Sequence, residues 1–120
     1  MNITIDAQAF DAQLAHLEST GATDLFLTSR GASHIRRAFG AEVKEICASP
    51  TRFALAMLID HIAGAGTSQR LQESGSRDES GVFKGLRFSA SATGEGQFAL
   101  VLRLNAPKPI RAAAEALATN

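Results

Sequence analysis

Apolar residues recur at helical spacing at Phe10, Leu14 and Leu17, the stripe of a helix with one buried face. Ala7 extends that stripe. Asp6 is placed to cap it, because its carboxylate can accept a hydrogen bond from a free backbone N–H of the first turn. Gly21 ends it. Asp24 to Thr28 then reads as a short strand and Ser29-Arg30-Gly31 as a turn. Ser33 to Phe39 and Val43 to Cys47 follow as two further short strands, with Gly40 between them. Leu55, Ile59 and Ile62 return to helical spacing, and Phe53, Met57 and Leu58 widen the stripe. This predicts a largely buried second helix, with Ser49 as N-cap, Pro50 at the first helical position and Gly64 and Gly66 at its end. Thr67 is placed to cap one more short helical piece, Ser68 to Glu73.

Ser74 to Gly81 is polar, a loop or a loop plus a solvated edge strand. After it the pattern alternates strictly. Leu86, Phe88, Ala90 and Ala92 share one face of a strand, and Phe98, Leu100, Leu102 and Leu104 share one face of the next. Gly94-Glu95-Gly96 joins the two as a hairpin. With Thr93 facing Gln97, Phe88 faces Leu102, Ala90 faces Leu100 and Ala92 faces Phe98. The apolar faces then match, as a one-residue slip would not allow. The same register sets Arg87 directly opposite Arg103, an unfavourable like-charge pair. Two readings of that pair stay open. The arginines share an anion, most simply a phosphate whose oxygens suit the guanidinium fork. Alternatively, both splay into water or pair with Asp78, Glu79 or Glu95. Pro107 and Pro109 stop the last strand, and Ile110 to Ala118 is an Ala-rich helical stretch with little to bury alone. The order of elements predicts an α+β fold, a single domain with helices packed on an antiparallel sheet.

Composition narrows the function classes. At 120 residues the chain is one domain, and 45% hydrophobic residues argue against disorder. Twelve basic residues balance twelve acidic ones, which excludes a nucleic-acid module held by bulk charge. Cys47 is alone, so no internal disulfide forms, and a reducing compartment fits. No apolar run is long enough to span a bilayer, and the first residues do not read as a signal peptide. The sequence holds no Gly-x-x-x-x-Gly-Lys-Ser/Thr phosphate loop and no Gly-x-Gly-x-x-Gly. His16, His34 and His61 are too scattered for metal-ligand spacing. His16 reads as half-buried packing, His34 as exposed, and His61 as a cation at a helix C-terminus. No nucleophile–base pair is visible, so the chain is not expected to be an enzyme on its own.

One stretch carries a resemblance. Gly21-Ala22-Thr23-Asp24-Leu25-Phe26-Leu27-Thr28 is similar to the Ala-Ser-Asp-Leu-His-Leu signature in the N-terminal, PAS-like domain of the PilT-like secretion, pilus and conjugation ATPases. His34-Ile35-Arg36-Arg37 and Gly40 resemble that family's Ile-Arg and turn glycine. Leu86-Arg87-Phe88-Ser89-Ala90-Ser91 resembles its Arg-Phe-Arg-Val-Asn strand, and Val101 to Pro107 its Phe-Arg-x-Ile-Pro segment. The match runs over about residues 6 to 110 with the elements in the family's order. Three positions depart from it: Phe26 stands for the signature His, Ser89 for the second arginine and Ser91 for the Asn.

The resemblance implies a PAS-like domain over residues 1–109 and, from 110 to 120, the start of a linker toward a C-terminal RecA-like ATPase domain. It implies a homohexameric ring at the cytoplasmic face of a bacterial inner membrane, in contact with the platform of a secretion or pilus machine. Direct nucleic-acid contact is not expected. ATP and Mg would belong to the full-length protein and no cofactor to this domain. It further implies that Arg87 and Arg103 reach the nucleotide phosphates, and that Asp24 and Arg36 belong to an interface or structural motif. The residues alone suggest for Asp24 a strand-end carboxylate accepting backbone hydrogen bonds. A stand-alone PAS-like ligand-binding or sensor domain, or a regulator of a secretion ATPase, is the competing reading.

Overall fold

A computed structural model describes residues 7–39, 41–74, 78–92 and 95–104. Its elements are α1 (Ala7–Ser19), β1 (Ala22–Thr28), β2 (Ser33–Phe39), β3 (Ala41–Cys47), α2 (Arg52–Ala63), α3 (Thr67–Ser74), β4 (Glu79–Phe83), β5 (Leu86–Ala92) and β6 (Phe98–Arg103). The Asp6 cap and the helical stretch expected from Ile110 to Ala118 lie outside the described residues.

The strands form one antiparallel sheet in the order β3-β2-β1-β6-β5-β4. Two local units build it: β1, β2 and β3 are a meander, and β4, β5 and β6 are another. They meet where β1 pairs with β6, and Leu104 N–H closes the seam by donating to Thr23 C=O at 2.8 Å. Alternation does the rest. Leu25, Leu27, Ile35, Phe88, Ala90, Leu100 and Leu102 point to one side and are buried. The helices cover that same side with Phe10, Leu14 and Leu17 of α1, Leu55, Leu58, Ile59 and Ile62 of α2, and Leu71 of α3, all in one core. The fold is therefore α+β, as the pattern predicts.

The hairpin register is the one the sequence dictates: Phe88 opposes Leu102, Ala90 opposes Leu100, Ala92 opposes Phe98 and Arg87 opposes Arg103. The strand before it is more than a solvated edge. Phe83 of β4 packs against the core, and a two-residue turn at Lys84-Gly85 leads directly into β5. Both turn residues have positive φ, 49° and 82°, the geometry that suits a hairpin's twist and that glycine adopts without strain. Further along β4, Gly81 opposes Phe88, and a Cβ there would lie 3.1 Å from the Phe88 ring.

Several local expectations are corrected. Thr51, not Ser49, caps α2: its Oγ1 accepts from Ala54 N–H, and the helix starts at Arg52, two residues after Pro50. Ser49 instead ties the β1–β2 turn to the end of β3. Its hydroxyl donates to Gly31 C=O and accepts from Ser33 N–H. Phe53 and Met57 are 70% and 63% exposed, so α2 is buried on one face rather than nearly all round. Helical spacing explains this: the two lie four apart, on the side away from Leu55, Leu58 and Ile62. Thr67 does not cap α3. The Asp60 carboxylate does, accepting from both the backbone N–H and the hydroxyl of Ser68. Thr67 Oγ1 donates back to Gly64 C=O. His16 is exposed rather than half-buried.

Candidate functional site

The sheet face opposite the helices carries the candidate residues, and the strand pairings align them. Arg36 in β2 opposes Asp24 in β1, Asp24 opposes Arg103 in β6, and Arg103 opposes Arg87 in β5. Directly paired residues project to the same side of a sheet, so the four form a row across four strands. A bulge in β1 between Ala22 and Asp24 sets the row's position. The extra residue, Thr23, is held by its hydroxyl on Arg36 C=O, and Ala22 joins Leu25 in the core although the two lie three positions apart.

Asp24 sits at the centre of the row with its side chain only 4% exposed. Its Oδ1 lies 2.9 Å from Arg103 Nε. Its Oδ2 takes no hydrogen bond from any described residue. The expectation of a carboxylate satisfied by backbone N–H groups is thus replaced by a side-chain ion pair. Arg103 is half-exposed. Arg87 is exposed and makes no hydrogen bond or ion pair with a described residue. The acids offered as alternative partners are engaged elsewhere or stand apart. Glu79 lies 3.9 Å from Arg70, Glu95 pairs with Arg30, and Asp78 is exposed.

An open depression of about 240 Å³ lies over this row. Its walls include Phe26, Ser89 and Val101 as well as the three arginines and Asp24. The Arg36 guanidinium carbon stands 5.3 Å from the centre of the Phe26 ring, which also stacks on His34 at 4.4 Å. His34 is thereby half-buried rather than fully exposed. The lining carries three guanidinium groups and one carboxylate. Arginine forks facing open space suit planar or tetrahedral oxyanions. Among the described residues no group of three His, Cys, Asp or Glu is placed to hold a metal ion.

No protein family matches this sequence, and no curated protein matches it either. Solved structures do. The chain's fold is similar to part of an ATPase. The crystal structure of the Legionella pneumophila ATPase DotB superposes with a TM-score of 0.60 over 81% of this chain at 20% identity. The chain spans 28% of that protein, and at this identity the likeness shows the fold alone.

The sequence reading brought Arg87 and Arg103 together and placed Asp24 and Arg36 in strands. It did not join the two pairs, because that requires β1 to lie beside β6. A second cluster went unread. The Asp11 carboxylate on α1 receives His61 Nε2 of α2 at 2.9 Å and Lys84 Nζ of the β4–β5 turn at 2.8 Å. Burial pushes the Asp11 carboxyl upward, but the hydrogen bonds and charges of Lys84 and His61 outweigh it and hold it below its usual range. His61 also meets Phe83 edge-on at 5.3 Å, so it is a tie between elements rather than only a helix-end cation. Cys47 is buried at the end of β3, and burial together with the Glu45 charge raises its thiol pKa.

Proposed function

We propose that this chain is the N-terminal assembly and nucleotide-contact domain of a secretion, pilus or conjugation traffic ATPase. In this reading it packs on RecA-like motor domains in a homohexameric ring, peripheral to a bacterial inner membrane, and couples ATP turnover to ring motion. ATP and Mg would be held by the motor domain, with Arg87 and Arg103 supplying donors to the phosphates. The observation that carries the reading is the adjacency of those two arginines on the helix-free face of the sheet. Like charges directly opposite each other cost stability. A shared anion would offset that cost. The fold likeness to an ATPase and the motif order around Asp24, Arg36 and Arg87 point the same way. No helix among the described residues is long and apolar enough to cross a membrane, which is compatible with a peripheral location. The depression, about 240 Å³ and open, is smaller than usual small-molecule pockets. That favours contact with a ligand held by another domain over the stand-alone sensor reading.

The test is Arg87→Ala with Arg103→Ala in the ring-forming protein. ATP turnover is expected to fall by about tenfold or more, the usual scale for losing a charged contact to a transferring phosphoryl group. The oligomer's mass, read by light scattering, stays unchanged. Full turnover in the double variant overturns the phosphate role.

A further inference from the structure

Arg87 and Arg103 are not equivalent, and Asp24 makes the difference. We infer that Asp24 is a positioning residue that orients Arg103 for an oxyanion, an inference that rests on the phosphate-contact reading above.

The geometry is specific. Asp24 is nearly fully buried, while the guanidinium it holds belongs to a half-exposed side chain. The contact runs from Oδ1 to Nε, the inner edge of the guanidinium, at 2.9 Å. Among the described residues the terminal nitrogens of Arg103 have no hydrogen-bond partner, so the outer edge of the fork stays available. An arginine normally loses much rotamer freedom when it binds an anion, and a fork already fixed at its inner edge loses less. Arg87, with no such anchor, supplies charge and adapts its position. Together they form one fixed fork and one mobile fork on adjacent strands, an arrangement suited to two neighbouring phosphoryl groups such as a pyrophosphate unit.

Positioning and simple electrostatics predict opposite signs. Asp24 is a negative charge beside an anion site, so by Coulomb's law alone its removal tightens anion binding. If Asp24 instead orients Arg103, its removal weakens binding although the site becomes more positive. The probe is pyrophosphate, titrated at low ionic strength into the 120-residue chain, with Arg Nε–H resonances of Arg87 and Arg103 followed by NMR. Asp24→Asn keeps a weaker, neutral acceptor for Nε, and Asp24→Ala keeps none. The expected order of affinity is wild type, then Asn, then Ala, each step about two- to tenfold, the cost of ordering one rotamer-rich side chain. The Arg103 Nε–H signal is expected to exchange faster with solvent in both variants, with or without pyrophosphate. If Ala fails to fold, the direction of the Asn result still decides. Equal or tighter binding by the variants overturns the positioning role alone. Absence of pyrophosphate binding by the wild type overturns this inference of a fork pre-set for an oxyanion, whereas the phosphate reading itself stands or falls on ATP turnover in the Arg87→Ala, Arg103→Ala ring.

Discussion

Truncating the two paired arginines is expected to have unequal effects on stability, and the structure sets the size of the inequality. From the sequence both lie on a polar face, and a double alanine variant is expected to lose less than about 1 kcal/mol. The ion pair changes that for Arg103. Arg87→Ala removes an exposed side chain with no ion pair among the described residues and relieves the repulsion across β5 and β6. Its effect is expected within about 0.5 kcal/mol of zero, on the stabilising side if anything. Arg103→Ala leaves the Asp24 carboxylate, 4% exposed, without its ionic partner. Breaking a fully buried pair costs about 3–5 kcal/mol. Arg103 is itself 49% exposed, so water screens the pair and reaches the vacated space. The expected loss is therefore about 1–3 kcal/mol. Adding Asp24→Ala to Arg103→Ala removes the stranded charge, and the double variant is expected to regain about 1 kcal/mol or more over the sum of the singles. Urea unfolding followed by circular dichroism measures the wild type, the three single variants Arg87→Ala, Arg103→Ala and Asp24→Ala, and the double variant, provided the m-values agree. An Arg103→Ala loss below about 0.5 kcal/mol, or an Arg87→Ala loss larger than that of Arg103→Ala, refutes the central role of the Asp24–Arg103 pair.

Two further outcomes follow from other parts of the fold. The folded-state pKa of Asp11 is depressed, so its contribution is present above the unfolded carboxyl pKa and lost as pH falls through the folded one. Asp11→Asn is expected to cost below about 1 kcal/mol at pH 7 and nothing measurable at pH 2, and an equal cost at both pH values contradicts the tie to Lys84 and His61. On α2, Leu55→Ala is expected to cost about 2–5 kcal/mol, whereas Phe53→Ser with Met57→Ser, both largely exposed, stays within about 1 kcal/mol of wild type in the same denaturation assay. A large loss from the serine pair contradicts the one-sided burial of the helix.

The parts of the molecule that were legible in advance are those fixed by neighbours in sequence. The apolar stripe of α1 and the alternation of β5 and β6 follow from side-chain periods that depend only on the local backbone. The hairpin turn then sets the register, so Arg87 lies opposite Arg103 as a consequence of local sequence. Capping was harder to read. Ser49, Pro50 and Thr51 offer two suitable side chains within three residues, and the choice depends on Ser49 being claimed by Gly31 and Ser33 across the sheet. The exposure of Phe53 and Met57 departs from the expected burial for a related reason. Spacing tells which residues share a helix face, not how far the neighbouring elements extend to cover it.

The candidate site divides along the same line. Residue types were set by sequence, three arginines and an aspartate in strands, and so was the strand phase of Arg87 and Arg103 through the alternation of β5 and β6. Their assembly was set by the tertiary pairing of β1 with β6, two strands far apart in the chain. Non-local pairing leaves no local periodic signal, because it is decided by which strand edges remain unpaired and which apolar faces can share one core. That pairing brings Asp24 to Arg103, buries the carboxylate in the middle of the row, and leaves Arg87 as the arginine without an anchor.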